Sequence, residues 1–291
     1  MSPQDVSAPR TTTTTNGAGP KSTPTKMETL CRELKGKVDA LLAKPTDDDE
    51  VLKSLQDQVR VARDVIEEAL RRYRPEELSL SYNGGKDCLV LLILLLASLP
   101  TVFPSSSSSS SSTETTPQPP LPTSIQALYI RPSLPFPEVD DFVATSSAHY
   151  GLDLTTSQNP HMKTALTAYL AERPAVRAVF VGTRRTDPHG ALLTSFDQTD
   201  ADWPRFMRVH PVIDWHYREV WGFIRALEIP YCPLYDMGYT SLGGTDDTHP
   251  NPALKKEAGA QNGNIEGAGN QAFRPAYELM EDEEERLGRD R

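Results

Sequence analysis

Between Glu77 and Leu99 the chain passes from a short alternating apolar segment, through Ser81-Tyr82-Asn83-Gly84-Gly85-Lys86-Asp87-Cys88, into a long apolar run. That order predicts a strand over Glu77 to Tyr82, a glycine turn, and a helix over Gly85 to Leu99. The run Leu89 to Leu99 is too short to span a bilayer and reads as a buried core helix. The turn therefore lies where a new helix exposes unpaired backbone N–H groups and the positive end of its dipole. Such a place binds phosphate, and two adjacent glycines let a phosphate approach the backbone closely.

The pattern around this unit repeats it. Helices are expected over Met27 to Ala43 and Glu50 to Tyr73, the second with Val51, Leu55, Val59, Ala62, Ile66 and Leu70 on one face; Pro75 blocks its continuation. Beyond the glycine turn come strand Ile125 to Ile130, helix Pro137 to Tyr150, strand Asp153 to Thr155, helix Lys163 to Glu172 and strand Ala178 to Val181. A further short strand is expected at His210 to Ile213. Helix Tyr217 to Leu227 follows, with Trp221 and Ile224 facing inward. Strands alternating with helices imply an α/β domain: a mostly parallel twisted sheet with helices on both faces, Rossmann-like. Ligands in such folds bind beyond the carboxyl ends of strands, here Ser81 to Asp87, Arg131 to Pro137 and Gly182 to Pro188.

Residues 1–26 are rich in Thr, Pro and Gly and are expected to be a disordered tail. A Ser/Pro-rich insert at about 104–122 includes eight consecutive serines and has no means of building a core. Strand–helix alternation resumes in step after it, so residues 27–291 read as a single domain carrying a surface loop. Net charge is −10, which argues against a broad basic surface for nucleic acid but leaves room for an anionic small molecule in a locally basic pocket. Three scattered cysteines, Cys31, Cys88 and Cys232, make neither a disulfide framework nor a zinc pattern and suit a reducing, cytoplasmic setting. The N-terminus lacks the apolar region of a signal peptide.

The phosphate turn is neither a Walker A loop, since Leu80 stands at the first glycine position and Asp87 replaces Ser/Thr, nor a GxGxxG fingerprint. An ordinary strand–helix turn explains the glycines but not the Lys86-Asp87 pair. Lys86 supplies a point charge for phosphate; Asp87 either favours the helix dipole or holds Mg²⁺ against phosphate oxygens.

Ser81 to Cys88 resembles the pyrophosphate loop of eukaryotic FAD synthases, or FMN adenylyltransferases, within the PAPS-reductase-like group of adenosine-nucleotide α-hydrolases. The resemblance continues through Phe136-Pro137-Glu138 and Gly182-Thr183-Arg184-Arg185-Thr186-Asp187-Pro188. Trp203-Pro204, Arg208 to Pro211, Tyr231 to Gly244, Pro275 to Leu279 and Glu285 to Arg289 extend it. It covers roughly residues 50–290 apart from the insert. Arg185 departs from it, standing where histidine is common.

The resemblance implies a monofunctional nucleotidyltransferase: FMN plus ATP giving FAD and pyrophosphate, Mg²⁺-dependent, by direct attack of the FMN phosphate on the α-phosphate. It implies ATP binding by Ser81, Asn83, Gly84, Gly85, Lys86, Asp87, Arg286 and Arg289. Asn83, Lys86, Asp87, Arg286 and Arg289 would support the chemistry, and Asp87 would hold the metal. Arg286 and Arg289 are three apart and would share a helix face over the triphosphate, against the bland reading of a solvated charged tail. Arg184, Asp187, Trp203 and Arg208 would serve FMN. Asp187 is otherwise a turn residue before Pro188, and Trp203 otherwise a core residue. A monomer acting on small molecules, with no nucleic-acid or membrane partner, is expected. Three alternatives stand beside this: a PAPS reductase, whose chemistry needs a thiol where no cysteine follows Cys232; an ATP-pyrophosphatase adenylating another acceptor; and a non-catalytic flavin- or nucleotide-binding protein.

Overall fold

The computed structural model describes residues 24–104, 120–256 and 272–290. Residues 1–23 of the expected disordered tail and most of the Ser/Pro-rich insert lie outside the described residues, whereas Lys26, expected in the tail, begins the first helix. Helix α1 spans Lys26–Leu42 and α2 Glu50–Arg72. A capping box starts α1: Thr25 Oγ1 accepts from the Glu28 N–H at 3.1 Å and the Thr25 N–H donates to Glu28 at 2.7 Å. Met27, Cys31, Leu34, Val38 and Leu41 then form its buried stripe. On α2 the expected face is buried except at its first member, Val51, which lies in the opening turn and is 42% exposed.

Six strands follow, β1 Leu78–Ser81, β2 Ile125–Ile130, β3 Leu152–Ser157, β4 Ala178–Phe180, β5 Phe196–Gln198 and β6 Met207–Val209. They make one sheet in the order β3-β2-β1-β4-β6-β5, parallel except for the β5–β6 pair. The remaining helices are α3 Lys86–Val102, α4 Pro137–Tyr150, α5 Met162–Glu172 and α6 Tyr217–Ala226. The strand expected at His210 to Ile213 lies three residues earlier, as β6. Pro211 has no N–H for a ladder, and His210 to Ile213 instead form a turn whose Val212 and Ile213 side chains are still buried. β5 carries only one apolar residue, and pairing alone makes it a strand.

Alternate side chains along the strands serve two packed faces. Leu78, Leu80, Ala127, Tyr129, Ala178 and Phe180 join the main core with α1, α2, α3, α4 and α6. Leu128 and Val179 point to the other face, where α5 supplies Leu166 and Tyr169. α3 lies at the centre of the first layer: every residue from Leu89 to Leu99 is buried, so the helix needs no polar face. The chain moves from β3 back past β1 to β4, so strand order reverses between β1 and β4. The carboxyl ends of those two strands therefore part around a crevice.

Candidate active site

The crevice is a cleft of about 370 Å³ at the ends of β1 and β4. Ser81, Asn83 and Gly85 to Cys88 line one wall, Val181 to Thr183 with Asp187 and Pro188 a second, and Tyr235, Ser241, Leu242, Glu285 and Arg286 a third. Local sequence explains the first wall. Gly84 has φ +73°, and a Cβ there would come within 2.9 Å of Val143 Cγ2, so the turn takes glycine alone. Gly182 lets β4 lie against the start of α3: a Cβ on it would stand 2.8 Å from the Cys88 amide nitrogen.

Two amides at this helix start are already used. Asn83 Oδ1 accepts the Gly85 N–H at 3.0 Å, and the Tyr235 hydroxyl accepts the Lys86 N–H at 2.8 Å. Tyr235 belongs to the Tyr231 to Gly244 segment, which crosses to the stretch before α4 by a Pro135–Gly244 bridge and the Thr245 N–H to Leu134 carbonyl bond of 2.7 Å.

Beneath the cleft lies a buried charge cluster. Lys86 Nζ contacts Asp87 Oδ2 at 3.0 Å and Glu285 Oε1. Arg184 reaches Asp87 Oδ1 with Nε at 2.8 Å, an ion-pair contact without hydrogen-bond alignment, and Glu285 Oε2 with Nη2. Two cations meet two close carboxylates, and a third, Asp282 Oδ1, stands 3.8 Å from Arg184 Nη1. Burial opposes charge on Lys86, but Asp87 and Glu285 outweigh it and raise its pKa above 10.5. Burial likewise opposes charge on Asp87, and Arg184 and Lys86 outweigh it, holding the carboxyl below 3.8.

The cluster changes the place of several expected residues. Arg184, expected against FMN, is fully buried and turns its guanidinium onto Asp87 and Glu285. Lys86, expected against phosphate, is 1% exposed and turned inward the same way. Arg286 and Arg289 do not share a helix: a short 3-10 turn, Asp282–Glu284, is followed by a turn and a bridge from Arg289 to Thr248. The acidic run has no apolar face to pack as a helix. Arg286 lines the cleft and is exposed, whereas Arg289 lies off it, bonded to Asp247 Oδ2 at 2.7 Å. Asp187 lines the cleft while its Oδ2 caps the turn by accepting the Arg184 N–H at 2.8 Å, as expected of a turn residue before Pro188. Trp203 packs beside the α5 face of the sheet. Arg208, on β6, donates to the Gln198 carbonyl at 3.2 Å. Neither lines the cleft. Arg185 is pinned outward on Asp214 at 2.5 Å.

Comparison with known proteins places the chain. It matches the phosphoadenosine phosphosulfate reductase domain over residues 77–170 and 161–250. A probable FAD synthase of Schizosaccharomyces pombe is 39% identical over 240 residues, 82% of this chain and 82% of that one. The chain belongs to the FAD synthase family. The flavin adenine dinucleotide synthase of Saccharomyces cerevisiae is 34% identical over 72% of this chain and 71% of its own. A crystal structure of Candida glabrata FMN adenylyltransferase with FAD and inorganic pyrophosphate superposes with a TM-score of 0.80 at 27% identity, covering 90% of this chain and 98% of that one. The same enzyme with FMN and the ATP analogue AMPCPP superposes with a TM-score of 0.78 at 26% identity, over 90% and 99% of the two chains. The resemblance read from the motifs and the mostly parallel α/β fold are both borne out.

Sequence reasoning missed Glu285, Tyr235 and Thr240 in this FAD synthase-family site. Glu285 stands in a run of acidic residues with nothing local to single it out. Thr240 Oγ1 donates to the Glu285 carbonyl at 2.6 Å, and buried Asn251 donates to the Glu284 carbonyl at 2.7 Å. The Tyr231 to Gly244 motif contained Tyr235 and Thr240 but did not reveal what they hold.

Proposed function

We propose that the protein is an FAD synthase that transfers AMP from ATP to FMN, releasing pyrophosphate. The observation that carries this reading is the cleft at the β1–β4 reversal, where the start of α3 and Arg286 face the Gly182 to Pro188 wall, in a chain of this family. The FMN phosphate is already a nucleophile at neutral pH, so no covalent group or strong base is required. The protein's work is to hold two polyanions in line and to offset charge on the leaving pyrophosphate. Asn83, Ser81, the α3 start and Arg286 would meet the ATP phosphates, a role supported by their lining the cleft. Asp187 and Pro188 line the side from which the flavin would arrive.

Lys86 and Arg184 act indirectly, by fixing Asp87 and the segment bearing Arg286. The residues present do not build a cage for magnesium: both Asp87 oxygens lie on cations, and no metal-binding group of three or more His, Cys, Asp or Glu occurs among the described residues. Magnesium enters as part of the MgATP substrate, a common state for an ion that prefers phosphate oxygens and water.

The three cysteines weigh against sulfonucleotide reduction. All are buried, and burial pushes the thiols up to about 12 for Cys31 and Cys88 and about 11 for Cys232, so none is a ready thiolate. A cytoplasmic monomer completes the reading. No helix among the described residues is long and apolar enough to cross a membrane. Purified protein incubated with FMN and MgATP should yield FAD and pyrophosphate by chromatography; no FAD would sink the proposal, and sedimentation would test the monomer.

A further inference from the structure

Glu285 reaches the site from the far end of the chain and is buried in the third wall of the cleft. Its two carboxylate oxygens are divided between Lys86, 199 positions away, and Arg184, 101 positions away. Lys86 begins α3 and Arg184 follows β4, so this one side chain ties together both sides of the crevice. Its backbone is fixed as well, since Thr240 Oγ1 holds its carbonyl at 2.6 Å. The next residue, Arg286, lines the cleft. A carboxylate taken out of water is costly unless it is paired and hydrogen-bonded, and here it is paired twice, in one geometry. Departure of Glu285 would leave Lys86 and Arg184 with Asp87 as their one close carboxylate, Asp282 standing 3.8 Å from Arg184 Nη1, so buried positive charge would lose a contact on both cations.

We propose that Glu285 is a positioning residue: it seats the segment 282–290 on the phosphate-binding turn, through Lys86 and Arg184, so that Arg286 faces the nucleotide. The inference rests on the FAD synthase reading for the nucleotide's identity. It also separates two arginines that look equivalent in sequence, because only the one adjacent to this anchor is delivered to the cleft.

Glu285→Gln keeps the shape and removes the charge. Hydrogen exchange of the 282–290 amides should accelerate in E285Q. Affinity for α,β-methylene-ATP, measured by calorimetry on the full chain, should fall about tenfold or more, as expected for a displaced charge-assisted contact. Affinity for FMN should change by less than about threefold. In an R286A background the same substitution should change the analogue's affinity by less than about threefold, because an absent arginine cannot be misplaced. A merely structural role predicts equal losses in both backgrounds; that result, or unchanged exchange in E285Q, overturns the proposal. If E285Q does not fold, Thr240→Val, which leaves the charges in place, should shift exchange and affinity in the same direction, again only with Arg286 present. A chain that makes no FAD yet shows the non-additive cycle sinks the FAD synthase reading alone. Additive losses in a chain that does make FAD sink the role of Glu285 alone.

Discussion

Asp87 lines the cleft and lies between Lys86 and Arg184, so one carboxylate serves both the site and the packing beneath it. Asp87→Asn should lower FAD formation at least about a hundredfold, measured by FAD chromatography, because the electrostatic arrangement facing the phosphates is lost. It should also cost about 3 kcal/mol in urea unfolding, because buried Lys86 and Arg184 each lose one of their two closest carboxylates. The acid side follows from the sign of the shift. Asp87, held below 3.8, contributes stability that is present above that value and lost as pH falls through its depressed value. Lys86, raised above 10.5, contributes stability present below that value and lost as pH rises through its raised value. Between these limits the cluster's contribution is flat, and Asp87→Asn should remove the acid-side fall. That Lys86 and Asp87 stand together at the start of a helix was legible from the sequence, where the first was read against phosphate and the second against the helix dipole or a metal. The contacts of Lys86 with Glu285 and of Asp87 with Arg184 were not, since adjacency says nothing about partners arriving from positions 285 and 184.

The start of α3 against the end of β4 is a backbone-to-backbone contact, and Gly182 alone permits it. Gly182→Ala would press a methyl onto the Cys88 amide nitrogen at 2.8 Å. Nucleotide affinity should fall more than about tenfold by calorimetry, with the helix start pushed away from the crevice, while α3 itself remains formed. The segment 282–290 has a second tether: Asp282 bonds His216 Nδ1 at 2.5 Å and the Tyr217 N–H at 2.6 Å. That hydrogen bond raises the His216 pKa above 6.5, so its contribution is full below 6.5 and is lost as pH rises through the raised value. The difference in Tm between the native chain and His216→Ala should therefore be largest below pH 6.5 and shrink above it. Element patterning explains what was readable here. Long periodic helices declared themselves, and β2 and α4 lie where expected. β5 and β6, three residues each, owe their existence to pairing. The helix expected over Arg286 and Arg289 failed because the five consecutive acidic residues before them, Glu281 to Glu285 with Asp282 among them, give no apolar face to bury.

The cleft is assembled from the turn before α3, the end of β4, the Tyr231 to Gly244 segment and the 282–290 segment, so nucleotide binding should stabilise the folded chain as one unit. At a hundred times its dissociation constant, ATP should add about 2.7 kcal/mol, read as a rise of several degrees in Tm that is reduced in R286A. Local pattern was enough for the α/β class, the buried central helix, the glycine turn before it and the family, because side-chain periodicity and glycine conformation act over a few residues. It could not say which charges meet. Glu285 lies 199 positions from Lys86 and 101 from Arg184, and the three come together only when the sheet reverses at β1 and β4. There burial makes each charge depend on the others. Arg286 accordingly faces the cleft and Arg289 does not, although the two are three residues apart in the same short charged motif.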